Sequence, residues 1–187
     1  RHGSPVVPGK MDFLKMSQTM QPEIASTICH ANDPSSLLEA HFLQRLEAQA
    51  TDYPQANPAL QVKAIGFTKI EGDWVGVMVT PWFVHLLLLP GGGTLWGDIP
   101  DGQRRYLDLP GSTFYFTATE APDIGPYQYT SLLDKIDQVP DMATAQGLAG
   151  DALRAALNLQ ISTLSANEES RAISRRGFFR RLAGKRD

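Results

Sequence analysis

The chain has a single cysteine, Cys29, among 187 residues. One thiol cannot close a disulfide within the chain, and it cannot build a four-cysteine zinc site or an iron–sulfur cluster. It points to a reducing compartment. Long apolar runs are missing too. The longest, Phe83 to Leu89, is interrupted by His85 and falls far short of the roughly 20 residues that a membrane-spanning helix needs. No secretory pattern opens the chain, because Arg1 to Lys10 is not followed by an apolar core and a small-residue cleavage site. That segment lacks an initiator and is set aside from the fold, with Met11 as the expected native start.

What is there suffices for one domain. Hydrophobic residues make up 42% of the chain and charged residues 20%, which excludes global disorder and allows a sizeable core. The net charge of −3 hides a partition. Residues 1–169 carry 10 basic and 19 acidic side chains, a net −9, whereas residues 170–187 carry 7 and 1, a net +6. An acidic body with a basic appendage suggests that the appendage is drawn to an acidic surface, its own or a partner's. Nucleic acid is not expected as a partner: the body repels phosphate, and no basic stripe interleaved with aromatics precedes the tail.

Residues 12–34 read as an irregular lead-in punctuated by Pro22 and Pro34. Leu37, Leu38, Phe42, Leu43 and Leu46 then recur at helical spacing. This predicts a helix to about Ala50, with Ser35 or Ser36 as N-cap and Glu39 completing a capping box. Six strands follow, over Gln61–Ile70, Trp74–Thr80, Phe83–Leu89, Gln103–Leu109, Ser112–Thr119 and Tyr127–Leu132. A second helix, capped by Asp141, is predicted to run to Leu157. Strands bracketed by helices, with no βαβ alternation, give an α+β class: a largely antiparallel sheet of five or six strands with helices packed on one face. The organisation is a lead-in over 1–34, one domain over 35–159 and a basic tail over 160–187.

Catalytic constellations are thin. Cys29 with His30 or His41 offers a nucleophile and base by residue type only. The four histidines lack metal-ligand spacing, and His85 reads as a core histidine. Gly91–Gly93 is followed by no Lys-Ser or Lys-Thr, so it is a flexible turn and no phosphate loop. The pairs Asp98/Asp101 and Asp134/Asp137 lie in turn-rich segments, where nothing raises a carboxyl toward general-acid duty. No enzyme, metal site or cofactor is expected. The conspicuous residues are aromatics near strand ends: Trp74, Trp82 beside Thr80 and Pro81, Trp96 and Tyr127. Two readings stand side by side. Tryptophan closes cores at sheet edges, and aromatic anchors beside an acidic rim also make a peptide groove.

Ile65-Gly66-Phe67, Gly72-Asp73-Trp74-Val75-Gly76-Val77, Thr80-Pro81-Trp82-Phe83, Leu87-Leu88-Leu89-Pro90, Leu109-Pro110-Gly111-Ser112, Phe114-Tyr115-Phe116 and Gly125-Pro126-Tyr127, on to Ser131-Leu132, closely resemble, in that order, the HybE-like family of nickel-iron hydrogenase maturation chaperones. The resemblance covers about residues 36–157. It departs at Leu133-Asp134-Lys135-Ile136, where many relatives carry a serine- and proline-containing stretch. Some relatives of the HupJ kind bear a fused rubredoxin domain, which a single cysteine does not provide for. The resemblance implies a non-catalytic cytoplasmic protein. Its partners would be a hydrogenase small-subunit precursor and possibly the large subunit, bound before export by the twin-arginine route. The alternative is a metal-delivery or cysteine-ligand-processing factor, with Cys29, His30 and His41 as its only soft ligands.

In the tail, Ser174-Arg175-Arg176-Gly177-Phe178-Phe179-Arg180 looks like the twin-arginine consensus, yet only seven residues follow it. It is not expected to serve as an export signal for this chain. Three readings remain: a mimic of the client peptide that docks in the chain's own groove or in a neighbour's, a short amphipathic helix with a solvated basic face or an arm that touches client protein directly, or an anchor to an anionic membrane surface without stable insertion.

Overall fold

The computed structural model describes residues 28–49 and 55–159. The lead-in before Ile28 and the tail from residue 160, including Ser174, Arg175, Arg176, Phe178, Phe179 and Arg180, lie outside the described residues. Helix α1 spans Ser35–Glu47, and six strands follow: β1 Lys63–Ile70, β2 Asp73–Val79, β3 Val84–Leu89, β4 Arg104–Leu109, β5 Ser112–Ala121 and β6 Gly125–Ser131. A short 3₁₀ turn at Ile136–Gln138 leads to helix α2, Met142–Ala156. Each predicted element is present to within three residues at either end.

The strands form one sheet in the order β1-β2-β3-β6-β5-β4, with every pairing antiparallel. The α+β class therefore holds. The two helices, expected on one face, lie on opposite faces. Val75, Val77 and Val79 of β2 point with Val84, Leu86 and Leu88 of β3 toward Ala145, Ala149, Ala152 and Leu153 of α2. Met78, Leu87 and Leu89 point the other way, toward Leu38 and Phe42 of α1. The reason is legible in the strands. Leu86 to Leu89 are all fully buried, so successive side chains need cover on both sides of the pleat.

Local chemistry explains the element ends. Asp141 caps α2, its carboxylate accepting from Thr144 N at 2.7 Å, as its position predicts. The capping box on α1 does not form. Pro34 holds the N-cap position without a side-chain bond, and Asp33 before it accepts from Ser35 N at 2.8 Å. Glu39 is drawn instead to β1, where it accepts from Ala64 N at 2.9 Å and pairs with Lys63 at 3.2 Å. Glu71 and Gly72, with φ of 50° and 90°, make the tight β1–β2 turn.

Gly91–Gly93 is a pinned segment, where a flexible turn was expected. Gly91 N and Gly93 N donate to one carboxylate oxygen of Asp73, at 2.8 and 3.0 Å, and Trp96 N donates to the other at 2.7 Å. Asp73 is fully buried, and these three amides satisfy both of its oxygens. A Cβ on Gly93 would sit 2.1 Å from Glu71 O. Only glycine lets the two backbones approach this closely.

Candidate functional site

Of the aromatic residues singled out in the sequence, the fold brings some together and separates the rest. Thr80, Pro81 and Trp82 form the buried β2–β3 turn. The Thr80 hydroxyl accepts from Trp82 N and Phe83 N at 3.2 and 3.1 Å. Trp82 joins Leu38 and Phe42 in the core beneath α1, which is the core-closure arrangement. Trp74 stands at the opposite end of β2. Its indole N–H donates to His30 O at 2.7 Å, and Lys69 Nζ lies 5.2 Å from the ring centroid.

Trp96 and Tyr127 meet in a cavity of about 310 Å³. Its other lining residues are Asp98, Ile99, Pro100 and Asp101 from the β3–β4 loop, Ala118, Thr119 and Glu120 from β5, and Pro126 from β6. Three exposed carboxylates, Asp98, Asp101 and Glu120, ring a floor of aromatic and proline surface. No lysine or arginine lines it. The cavity opens where β5 runs on past the start of β4, which pairs with β5 only as far as Thr117.

A polar lattice beneath the loop fixes the mouth of the cavity. Arg105 Nε donates to Gln128 Oε1 at 2.7 Å and Arg105 Nη2 to Leu95 O at 2.7 Å, while Gln128 Nε2 donates to Gly97 O at 2.7 Å. Together with Trp96 N on Asp73, these bonds tie Leu95, Trp96 and Gly97 to strands β4, β6 and β2. Burial lowers the Arg105 pKa from its ordinary value, and the nearby Asp73 carboxylate opposes that shift. The indole Nε1 of Trp96 is buried with no hydrogen-bond partner among the described residues, so loop bonds and packing hold the ring.

Sequence reasoning missed Asp73, Arg105, Gln128 and Glu120. For Asp73, Arg105 and Gln128 the burial of a polar side chain shows only once the strands are placed, and the exposed Glu120 comes beside Asp98 and Asp101 only through the fold. The one available signal was the appearance of Gln128 between Tyr127 and Tyr129; Arg105, beside Arg104, carried none. An acidic aromatic cavity of this size suits a cation with an apolar stem: the rim supplies charge and bidentate acceptors, and the walls supply packing.

The soft ligands do not converge. Cys29 is exposed. His30 N is bonded to Pro90 O at 2.8 Å; burial lowers the pKa of its imidazole, with the Ile124 backbone opposing. His41 is buried and its Nδ1 lies 3.5 Å from Asp123 Oδ2. Among the described residues no three His, Cys, Asp or Glu side chains are grouped to hold a metal ion. His85, read as a core histidine, stacks between Phe83 and Tyr129 at centroid distances of 3.9 and 4.7 Å. No helix among the described residues is long and apolar enough to cross a membrane.

Residues 33–181 match the family model for NiFe-hydrogenase assembly chaperone HybE. The chain belongs to this family. The hydrogenase expression/formation protein HoxT of Azotobacter vinelandii is 32% identical over 151 residues, which span 79% of this chain and 94% of that protein. The hydrogenase-2 operon protein HybE of Escherichia coli K12 is 27% identical over 129 residues, 69% of this chain and 80% of the relative. The probable rubredoxin HupJ of Rhodobacter capsulatus is 32% identical over 114 residues, and the match spans 61% of this chain but only 41% of HupJ. The solution structure of HybE from Escherichia coli superposes with a TM-score of 0.56 at 22% identity, covering 79% of this chain and 93% of that one. This HybE-family fold is thus shared at low identity, and the cavity is built from its strand ends.

Proposed function

We propose that this HybE-family protein binds a hydrogenase small-subunit precursor by its twin-arginine signal peptide, in the cytoplasm before export. It holds the client without transforming it. The observation that carries this reading is the cavity between Trp96 and Tyr127 with Asp98, Asp101 and Glu120 at its rim. An arginine side chain has the shape for it: an apolar stem to lie on the rings and a planar fork for two carboxylates. Trp74, at the same end of β2 but outside the cavity lining, is assigned as a further aromatic contact. Thr80, Pro81 and Trp82 support the fold and take no direct part in the contact.

The basic tail competes for the same cavity. Its Arg175 and Arg176 carry the client's chemistry, and Phe178 and Phe179 supply apolar anchors. Covalent attachment gives such a segment an effective concentration of about millimolar. A client has to displace it.

Calorimetry with a synthetic small-subunit signal peptide tests the reading. Replacing both peptide arginines by lysine, or making Asp98→Asn with Glu120→Gln in the protein, is expected to weaken binding about tenfold or more. Equal affinity for the arginine and lysine peptides overturns it.

A further inference from the structure

The sheet has two edges, and they are treated differently. The β1 edge is blunted. Its register shifts between Ile65 and Thr68, Gly66 takes a φ of 62°, and Glu39 of α1 caps the outward Ala64 N at 2.9 Å. These are the devices by which proteins stop a strand edge from pairing with another chain. Among the described residues the β4 edge carries none of them. Its register with β5 is regular from Arg104 to Leu109, and it contains no proline.

The outward groups of β4 can be assigned from the ladder. Ala118 N donates to Gln103 O at 2.8 Å and Gly102 N donates to Ala118 O at 2.9 Å, so Ala118 turns its backbone toward β4. By alternation Phe116 and Phe114 do the same, and they lie opposite Arg105 and Leu107. Arg104, Tyr106 and Asp108 therefore turn their N–H and C=O groups away from the sheet. The side chains of the same three residues stand together on one face, and all are exposed. Tyr106 is 75% exposed, its ring 4.6 Å from that of Tyr115, which is itself 44% exposed.

The order of these side chains is self-complementary. An antiparallel strand related by a two-fold axis through Tyr106 puts Tyr106 opposite Tyr106 and Arg104 opposite Asp108, twice. This register brings outward backbone groups against outward backbone groups at all three positions, and every pair is of the kind that exchanges both bonds. Asp108 already accepts from the Thr113 hydroxyl and keeps its second oxygen for a guanidinium. Arg104 rests over the Tyr115 ring of the neighbouring β5 at 5.7 Å in the single chain, and its long exposed stem has to swing outward to meet Asp108 of the second copy.

We propose that β4 is a homodimer edge: two copies of this chain pair β4 to β4, antiparallel and centred on Tyr106, to make one continuous sheet. Opposite charges placed across an antiparallel pair stabilise it, and like charges oppose it. The interface is isologous, so it closes at two copies. The cavity of each copy, opening beyond the start of β4, stays outside the paired segment.

Sedimentation equilibrium on the full chain tests the proposal through charge reversal. Wild type is expected to show a concentration-dependent monomer–dimer equilibrium. Arg104→Asp puts carboxylate against carboxylate twice, Asp108→Arg puts guanidinium against guanidinium twice, and each is expected to weaken association by about 10- to 100-fold. An equimolar mixture of the two variants restores opposite charges at both positions, and it is expected to form a one-to-one heterodimer of wild-type affinity. Recovery in the mixture also shows that both variants are folded. A wild-type chain that stays monomeric up to about millimolar concentration, single variants that dimerise like wild type, or a mixture that stays monomeric overturns the proposal. Signal-peptide binding by a monomeric wild type would leave the cavity reading standing, so the two failures are distinguishable.

Discussion

Arg105 of β4 and Gln128 of β6 reach each other across the intervening strand β5, with Nε donating to Oε1 at 2.7 Å. Ala118 of β5, opposite Gln128, leaves the room that this bridge requires. Each partner also donates to the β3–β4 loop, Arg105 through Nη2 to Leu95 O and Gln128 through Nε2 to Gly97 O. The pair thus sets where Trp96 and the Asp98–Asp101 turn stand relative to Glu120.

Arg105→Lys is the sharpest test of that role. A lysine ammonium keeps the charge but cannot present the planar fork that serves Gln128 and Leu95 together. One of two part-buried acceptors is left unpaired, a loss of about 1–3 kcal/mol in stability. Client-peptide affinity is expected to fall further than stability does, because the loop that carries Asp98 and Asp101 is no longer held. Thermal melts beside calorimetry check the split. A variant with lower stability and unchanged affinity would make Arg105 a core residue only.

Asp73→Asn replaces one acceptor oxygen by an amide that faces a backbone donor. Asp73 accepts three amide hydrogens in full burial, so the substitution leaves at least one of them without an acceptor. The expected loss is about 2–3 kcal/mol. Hydrogen exchange should show protection lost at Gly91, Gly93 and Trp96 before it is lost in the strands. Uniform loss across the sheet would contradict a local role.

The strands, both helices and the Asp141 cap were legible because they rest on local chemistry: β-branched runs, alanine-rich helix and a carboxylate at an N-cap. The opposite-face placement of the helices was legible in principle. Leu86 to Leu89 is apolar on both parities, and a strand of that kind needs two covers. The cavity was half legible. Trp96 and Tyr127 stood out, and Asp98 with Asp101 was visible as a pair. Their convergence depends on Asp73 and Arg105 acting over separations of more than 20 and about 10 residues, and no local pattern carries that information. The Thr80-Pro81-Trp82 element has a structural ground for its distinctiveness: a buried turn that must satisfy its own backbone constrains residue type as tightly as a binding site does.

Asn57 is a third fixed point. Its side-chain amide donates to Ile136 O and Val139 O, both at 2.9 Å, and its N–H donates to Pro81 O at 2.7 Å. Two carbonyls of the segment before α2 depend on this one side chain. Asn57→Ala is expected to destabilise by about 2 kcal/mol and to lower the urea midpoint without changing the slope. Asn57→Asp should be worse, since a carboxylate meets two carbonyl oxygens with no donor to offer. If the aspartate variant were the more stable of the two, the assigned hydrogen bonds would be wrong.

His85 makes stability depend on pH in a direction that can be worked out. Burial pushes its pKa down to about 3 from the ordinary 6.5, because the ring is stacked between Phe83 and Tyr129 where an imidazolium is poorly solvated. Below pH 6.5 the unfolded chain binds a proton that the folded chain refuses. The unfolded state then holds more protons, and stability rises with pH. Its contribution is complete above about pH 6.5 and declines as the pH falls toward 3, with a slope of at most about 1.4 kcal/mol per pH unit. His30, whose pKa burial also lowers, adds a decline of the same sign. Urea unfolding of wild type and His85→Phe at pH 7.5 and 5.0 checks this. The phenylalanine variant keeps the stack and has nothing to protonate, so it should lose less stability between the two conditions. Equal losses would mean that His85 is protonated as readily in the fold as outside it.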